Sequence, residues 1–528
     1  MNLTNRRGAR CLQLAAILSV LTVPVSGSVV PAPVGGLSFH YYKVVDTDTV
    51  MPGDTETFGC VGQPHVSYGS VAFRGGGEED CGAAIWTWRL DDPATLTKRY
   101  GRGMSSLDGG TFIEFSSLSY NKGHVAFAAQ TGGSAARGIY TDARGALELV
   151  ANRFTPVPGG VGDVFFHFGA PWIYEGEVVF RARVVTLSPI NIIDGIYAWA
   201  DGVLRLVAAE GITPVPGGTG TFVDFGDEDA TGVIAHLSGI PAVDDGVVVF
   251  RGRGSDGEHG VYREHNGVFS VIADLNTPIP GGTGNFTDFE AGRLAGNIDD
   301  DQIVFVGSGA GGQQGMYLWN AGTLSVIVDN TTYAGAGTQG MGFDHGAVAF
   351  LASPAGGGNQ GIFTTLGGEV TKVVENFELL DGVQVGAFGT YGHGLSRNVV
   401  AMNVGFYGAP GEHANYVAVA YRAVPIDVRP KTINSKSQGV IPVAILSTPI
   451  VNAPVDIVQS SLRFGRTGTE ASLSHCTTSD ADGDGLLDLL CHFWTQSAGF
   501  QTGDTLAKLT GRTTDDLPIE GSFAVIVR

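Results

Sequence analysis

The chain has 528 residues, 43% of them hydrophobic and only 16% charged, with 80 glycines and 23 prolines. That length allows two or three domains, and the glycine and proline content suits many short strands joined by turns. A net charge of −21 without a basic patch excludes a nucleic-acid surface and favours cations, calcium in particular.

The N-terminus reads as an export signal over residues 1–28. Arg6, Arg7 and Arg10 precede an apolar run from Leu12 to Val23, and Val25, Ser26, Gly27 and Ser28 offer small residues for cleavage. The run is short for a membrane span, so no span is expected in the mature chain. Arg6-Arg7 hints at twin-arginine export, but Asn5 and the absence of a following Phe-Leu favour the general secretory route. Cleavage leaves Cys60, Cys81, Cys476 and Cys491, an even number that suits disulfides in an exported protein. Three connectivities are open; the local one, Cys60–Cys81 with Cys476–Cys491, needs no contact between distant segments.

From residue 38 to 423 the chain repeats itself. TPVPGGVG at 155–162, TPVPGGTGTF at 213–222 and TPIPGGTGNF at 277–286 are copies of one phrase. Each unit then shows a short strand opening on Pro (Gln63–Val66, Ala170–Ile173, Ile240–Val243). Next comes a V-x-F strand (Val71, Val125, Val178, Val248, Ile303, Val348, with a weaker Val399), followed by a Gly-Ile-Tyr strand and an alternating strand such as Leu204–Val207. Four strands per unit predict an all-β fold, a seven-bladed β-propeller, with six or eight blades the alternatives because the end units are worn. The strand Tyr41–Val45 has no unit of its own and is expected to complete the last blade. The strand order resembles the blades of TolB-like propellers. That resemblance implies architecture and no activity.

Alternating strand direction puts the Gly-rich loops on one face, together with the loops between second and third strands, including 184–194 and 252–259. The Gly-rich loops are expected to act as turn devices rather than anion cradles, since none has the phosphate-loop form or a following helix. Glu114, Asp163, Asp224 and Asp288 follow the loops and would form an acidic ring if they faced the channel. The twelve histidines are scattered, without a metal or catalytic spacing. Trp86, Trp88, Trp172, Trp199 and Trp319 are expected to pack between blades rather than to stack on sugars.

The repeat stops near Val424. Ile426-Asp427-Val428-Arg429-Pro430, then Ile433-Asn434-Ser435-Lys436-Ser437 and Ile441-Pro442-Val443-Ala444-Ile445-Leu446, resemble a C-terminal module of many secreted bacterial proteins. The resemblance spans residues 425–528 and implies a small accessory β-sandwich. Within it, Asp480, Asp482, Asp484 and Asp488 stand at positions one, three, five and nine of an EF-hand-type loop. Gly485 stands at six and Leu486 offers a carbonyl at seven. Hard oxygens at this spacing point to Ca²⁺ as cofactor. Cys491 occupies position twelve, where a bidentate Glu is usual, and Asp504 is the candidate substitute.

These readings lead to a secreted or cell-surface monomer that binds a protein or polysaccharide on its Gly-rich loop face, with no catalytic residues assigned. The alternative is a secreted carbohydrate-active lyase or hydrolase on the same scaffold, whose paired carboxylates would come from different blades.

Overall fold

A computed structural model describes residues 36–77, 80–160, 163–187, 190–226, 239–289, 297–338, 340–390, 392–408 and 412–528. The expected export signal lies outside these residues. The fold is nearly all strand; the helical elements among the described residues are one four-residue α-helix, Ala453–Asp456, and two short 3-10 turns. Among the described residues, no helix is long and apolar enough to cross a membrane.

The repeat units form seven antiparallel sheets. The V-x-F signals fall on the second strands, such as Ser70–Gly76, Glu177–Leu187 and Gln302–Gly309. The Gly-Ile-Tyr signals fall on the third strands, such as Ala84–Arg89, Ile190–Ala200 and Gln314–Asn320. In the seventh sheet, His413–Ala423 pairs antiparallel with Leu37–Asp46, so Tyr41–Val45 supplies the outer strand as its pattern required.

One expectation needs correcting. The short Pro-containing strand is only half of the first strand. In the fourth sheet, Phe222–Asp224 and Ala242–Asp244 both pair with Val247–Gly254, one at each end. The first piece issues directly from the Gly-rich phrase and explains why the phrase ends in Phe. Phe222 meets Tyr262 edge-on at 5.1 Å, and Phe286 meets Tyr317 at 4.9 Å. The same contact recurs as Phe112 with Tyr140 at 5.1 Å, Phe165 with Tyr197 at 5.0 Å and Phe58 with Trp86 at 5.0 Å. Each such pair contributes roughly 0.5–1.5 kcal/mol beyond the area it buries. The repeated words therefore encode one aromatic contact in each of the first five sheets.

The hairpin turns after the first strands tie neighbouring sheets together. Tyr68, Lys122, Glu175, Asp245, Asp300, His345 and Arg397 each occupy the turn with φ between 44° and 53°. The residue before the turn carries a side-chain acceptor, which takes the turn N–H of the next sheet. Ser67 accepts from Lys122 at 2.8 Å, Asn121 from Glu175 at 3.0 Å, Asp244 from Asp300 at 2.8 Å, Asp299 from His345 at 2.6 Å and Asp344 from Arg397 at 2.5 Å. Between the third and fourth sheets, Glu177 takes the N–H of Gly246 at 2.9 Å. Ser396 of the seventh sheet takes that of Tyr68 in the first at 3.1 Å.

Beyond residue 424, Leu473–Ser479, Asp488–Trp494, Val440–Ile445 and Ile426–Val428 form a four-stranded sheet. A second group, Arg463–Gly465, Leu506–Arg512 and Pro518–Ala524, packs against it around Phe464, Phe493, Leu489, Leu509 and Ile519. That second group continues the seventh sheet: Arg422 and Ala423 run parallel to Ile519 and Glu520. His40 and Glu520 meet at 3.1 Å across the same seam. The cysteines pair locally, Cys60 with Cys81 and Cys476 with Cys491.

Candidate functional site

The Gly-rich loop of the fourth sheet is positioned by two glycines with different tasks. Gly217 has φ +77°, where a side chain is strained; Gly218 has none of that strain, but a Cβ there would meet Glu258 at 2.2 Å. Glu258 lies in the loop between second and third strands, which the sequence places on the same face. Its carboxylate accepts the N–H groups of Thr219 at 3.1 Å and Gly220 at 3.2 Å; its own backbone N–H first, then those of Gly220, Asp256 and Thr219, hold it below the usual carboxylate range. The loop does present N–H donors to an anion, and the anion belongs to the protein. In the fifth sheet Gln313 reaches the equivalent loop and donates to Pro280 O at 3.3 Å.

Two of the acids that follow the loops tie neighbouring sheets, and a third bonds within its own. Asp224 lies 3.5 Å from Arg181 of the third sheet, and Asp288 lies 3.6 Å from His259 of the fourth. Asp163 accepts the N–H of Leu187 at 3.2 Å. Arg181, buried, also pairs with Asp194, whose carboxyl burial pushes up. Burial, reinforced by Asp194, pushes Glu210 up to about 7, while burial and Arg253 push His259 down to about 4. Beside this network the hairpin of Glu177–Leu187 and Ile190–Ala200 projects with Leu187, Ile190 and Ile192 exposed. Ile192, Ile212, Val223 and Glu210 line one shallow groove there.

The opposite face carries acids that sequence reasoning missed. Oxygen and nitrogen atoms of Asp299, Asp344 and His345 lie within 4.8 Å of one another. Asp299 also accepts the Tyr174 hydroxyl at 2.7 Å. Burial and the neighbouring Asp299 push Asp244 up to about 7. Burial alone would push His345 down, but the carboxylates of Asp344 and Asp299 outweigh it and hold the imidazole above its usual range. Only a partial signal exists in the sequence: Ser67, Asn121, Asp244 and Asp344 stand two positions before the Gly that precedes a V-x-F strand, whereas Asp299 and Ser396 have no such Gly.

The expected calcium loop connects Leu473–Ser479 to Asp488–Trp494, and the Cys476–Cys491 disulfide staples the hairpin just before it. Carboxylate oxygens of Asp480, Asp482 and Asp488 converge within 4.8 Å. Asp480 accepts the N–H groups of Gly483 at 2.7 Å and Gly485 at 3.2 Å, which curls the loop around it. Asp488 is buried and accepts from Ser447 and Ala481, both at 2.8 Å. Asp484 is outside that group and accepts the Leu486 N–H at 2.8 Å. Asp504 is held elsewhere, by Gln501 N–H at 2.8 Å and Arg466 at 3.3 Å. It does not substitute for the missing Glu.

A family model described as a family of unknown function (DUF7453) matches residues 43–242, the first three sheets and the start of the fourth. No curated protein matches the chain. Among solved structures, the chain is similar to an acylaminoacyl peptidase of Pyrococcus horikoshii, with TM-score 0.41 and 8% identity over 74% of this chain and 58% of that one. It thus spans less than two thirds of that peptidase. It is also similar to the β-propeller domain of the Trilobed protease from Pyrococcus furiosus, with TM-score 0.29 and 12% identity over 60% of this chain and 95% of that one. A third similar structure is the Aleuria aurantia lectin, with TM-score 0.29 and 9% identity over 60% of this chain and 95% of that one. At these TM-scores the likenesses carry no argument about binding or catalysis.

Proposed function

We propose that this is an exported, non-catalytic protein in which the seven sheets are the blades of a closed propeller, TolB-like in strand order. It binds a protein ligand through its Gly-rich loop face, and residues 425–528 form a calcium-stabilised accessory β-sandwich of the secreted bacterial type. The observation that carries the binding reading is the exposed aliphatic groove of Ile192, Ile212 and Val223 beside the projecting Leu187 and Ile190. Exposed contiguous apolar surface rimmed by polar groups suits a protein partner. A glycan partner is less favoured, because Trp86, Trp88, Trp172 and Trp199 are packed inside.

Catalysis finds little support on that face, where Asp194, Asp224, Asp288 and Glu258 already hold internal partners. A serine–imidazole pair exists in the interior, Ser119 with His393 at 2.9 Å. Burial and the neighbouring His65 hold His393 well below the usual imidazole range, so it is a poor proton acceptor at neutral pH.

Ca²⁺ suits the converging carboxylates of Asp480, Asp482 and Asp488, with Asp484 and the Leu486 carbonyl as neighbours in the loop. When bound it would offset two of the three negative charges and hold the hairpin end.

The test places a photo-crosslinking residue at Ile190 in the producing cell, with a glycan array and a reducing-sugar assay on the mature protein. A discrete crosslinked protein that disappears in Ile192→Asp supports the reading. A glycan signal without a crosslink moves the ligand to polysaccharide, and release of reducing sugar overturns the non-catalytic assignment.

A further inference from the structure

The third sheet differs from its neighbours in one strand. Its third strand, Ile190–Ala200, is 11 residues long, against six, five, seven, seven and four in the first, second, fourth, fifth and sixth sheets. The seventh sheet has the other 11-residue third strand, His413–Ala423, and there Leu37–Asp46 covers it from Ala414 to Arg422. In the third sheet the covering strand, Val203–Ala209, pairs only from Gly195 to Ala200.

The cover ends at Glu210. Its N–H donates to Asp194 O at 3.0 Å, and its carboxylate accepts the Asp194 N–H at 2.9 Å. Gly211, at φ +66°, then turns the chain away, with its N–H on Phe222 O at 2.8 Å. Both main-chain groups of Asp194 thus face Glu210. Alternation along an antiparallel strand turns those of Ile192 and Ile190 to the same side. The opposite side is taken, since Ile190 to Asp194 pair with Leu187 to Arg183. Among the described residues, no strand pairs along Ile190–Ile193 on the Glu210 side.

The shallow groove of this face runs along that uncovered edge. Asn191, Ile192 and Ile193 line it together with Glu210, Ile212 and Val223, and its volume is about 420 Å³. Ile190 is 80% exposed and Ile192 53%. Sheet edges are commonly blunted by Lys, Pro or a bulge. Between Ile190 and Ile193 there is no Lys or Pro, and the register with Leu187 to Val184 runs without a shift. An unblunted edge with an apolar groove beside it is where an extended chain adds as a further strand. Ile190 to Asp194 offers such a chain about 16 Å.

A second copy is the poorer occupant. It would set Glu210 against Glu210 between two chains of net charge −21. Among the described lining residues the one ionisable side chain is this acid, which complements a basic segment. We propose that this edge binds an extended segment of another protein by strand addition, its main chain paired with Ile190 and Ile192, its apolar side chains in the groove and a Lys or Arg toward Glu210. This rests on the protein-binding reading of the same groove and adds how the partner is held.

The probe is a labelled heptapeptide, KVTVKVT, titrated by fluorescence anisotropy into the full-length protein at pH 8, above the value of about 7 at which Glu210 stands. One control is the same peptide N-methylated at every internal residue; the other is EVTVEVT. The expected result is saturable binding of KVTVKVT, slowed amide exchange over residues 190–194, and binding at least about tenfold weaker for both controls. Ile192→Pro keeps an apolar side chain and removes one edge N–H, a change that an edge facing solvent tolerates. It too should weaken binding at least about tenfold; should it not fold, the N-methylated peptide carries the test. The proposal is overturned by no saturable binding of KVTVKVT at millimolar concentration, or by either control binding as well. Crosslinking from Ile190 separates the two readings. A partner retained in Ile192→Pro and lost in Ile192→Asp keeps protein binding and overturns strand addition. A crosslink to a second copy overturns the choice of occupant, and no crosslink with no peptide binding sinks both readings.

Discussion

Ser396 Oγ accepts a hydrogen bond from the Tyr68 backbone N–H at 3.1 Å across a sequence separation of 328 residues. This one bond joins the seventh sheet to the first with the chemistry used between the other sheets. The turn residue Tyr68, at φ 49°, is in a conformation that costs a non-glycine side chain something, and the bond offsets part of that cost. Ser396→Ala is therefore expected to destabilise the repeat region by about 1 kcal/mol, seen as a lower urea midpoint with an unchanged m-value. An unaltered midpoint would show that the bond contributes nothing.

Asp244 gives the fold a pH dependence. Its carboxyl stands at about 7 in the folded state, above its unfolded value near 3.9. The folded protein then binds more protons than the unfolded one between those limits, so this group's contribution to stability falls as pH rises from about 4 to 7. Asp244→Asn keeps an acceptor for the Asp300 N–H and removes the charge. It is expected to raise stability at pH 8 by roughly 1–3 kcal/mol and to leave stability at pH 4 nearly unchanged. Melts of the two proteins across that range decide it.

Calcium is expected to raise the melting temperature of the C-terminal transition of the full chain. At a hundredfold excess over its dissociation constant, the ion adds about 2.7 kcal/mol. Asp480→Ala or Asp482→Ala should cancel the shift while leaving the repeat-region transition in place. A melt identical in calcium and chelator, with wild-type protein, sinks the assignment.

The disulfide at the base of that loop closes a sequence separation of 15 residues. Replacing Cys476 and Cys491 by serine should cost about 3 kcal/mol on loop-entropy grounds. It should also weaken the calcium response more than Cys60→Ser with Cys81→Ser does, because the latter pair lies in the first sheet.

Gly218→Ala tests the occupied cradle. The new Cβ would stand 2.2 Å from Glu258, so the carboxylate must leave the N–H groups of Thr219 and Gly220. A loss of about 1–3 kcal/mol is expected, and Glu258→Ala in the same background should add little, since the two changes remove one interaction.

Much of the strand pattern was legible because β-branched and aromatic residues at period two survive in six units, from Val71-Ala72-Phe73 to Val348-Ala349-Phe350. The first half of each inner strand was not, because Phe222-Val223-Asp224 is three residues long and reads as the tail of a loop. The ties between sheets escaped for another reason: Ser67, Asn121, Asp244 and Ser396 share an acceptor, not an identity. Asp224 and Asp288 looked like a ring because their spacing is regular, but regular spacing does not reveal that Arg181 and His259 of the preceding sheets reach them. Asp504 stands outside the loop's carboxylate cluster, where Arg466, distant in sequence, holds it.

The pairing of Leu37–Asp46 with His413–Ala423 also sets an order of assembly. During synthesis the N-terminal strand emerges first and finds its partner last, after the intervening sheets have been made. Until then it is an unpaired edge available to another chain, and the C-terminal strand Pro518–Ala524, which abuts the same His413–Ala423, arrives later still. The seventh sheet is thus expected to be the slow step of maturation, and nascent chains stalled before residue 413 should be the species that aggregate or recruit chaperones.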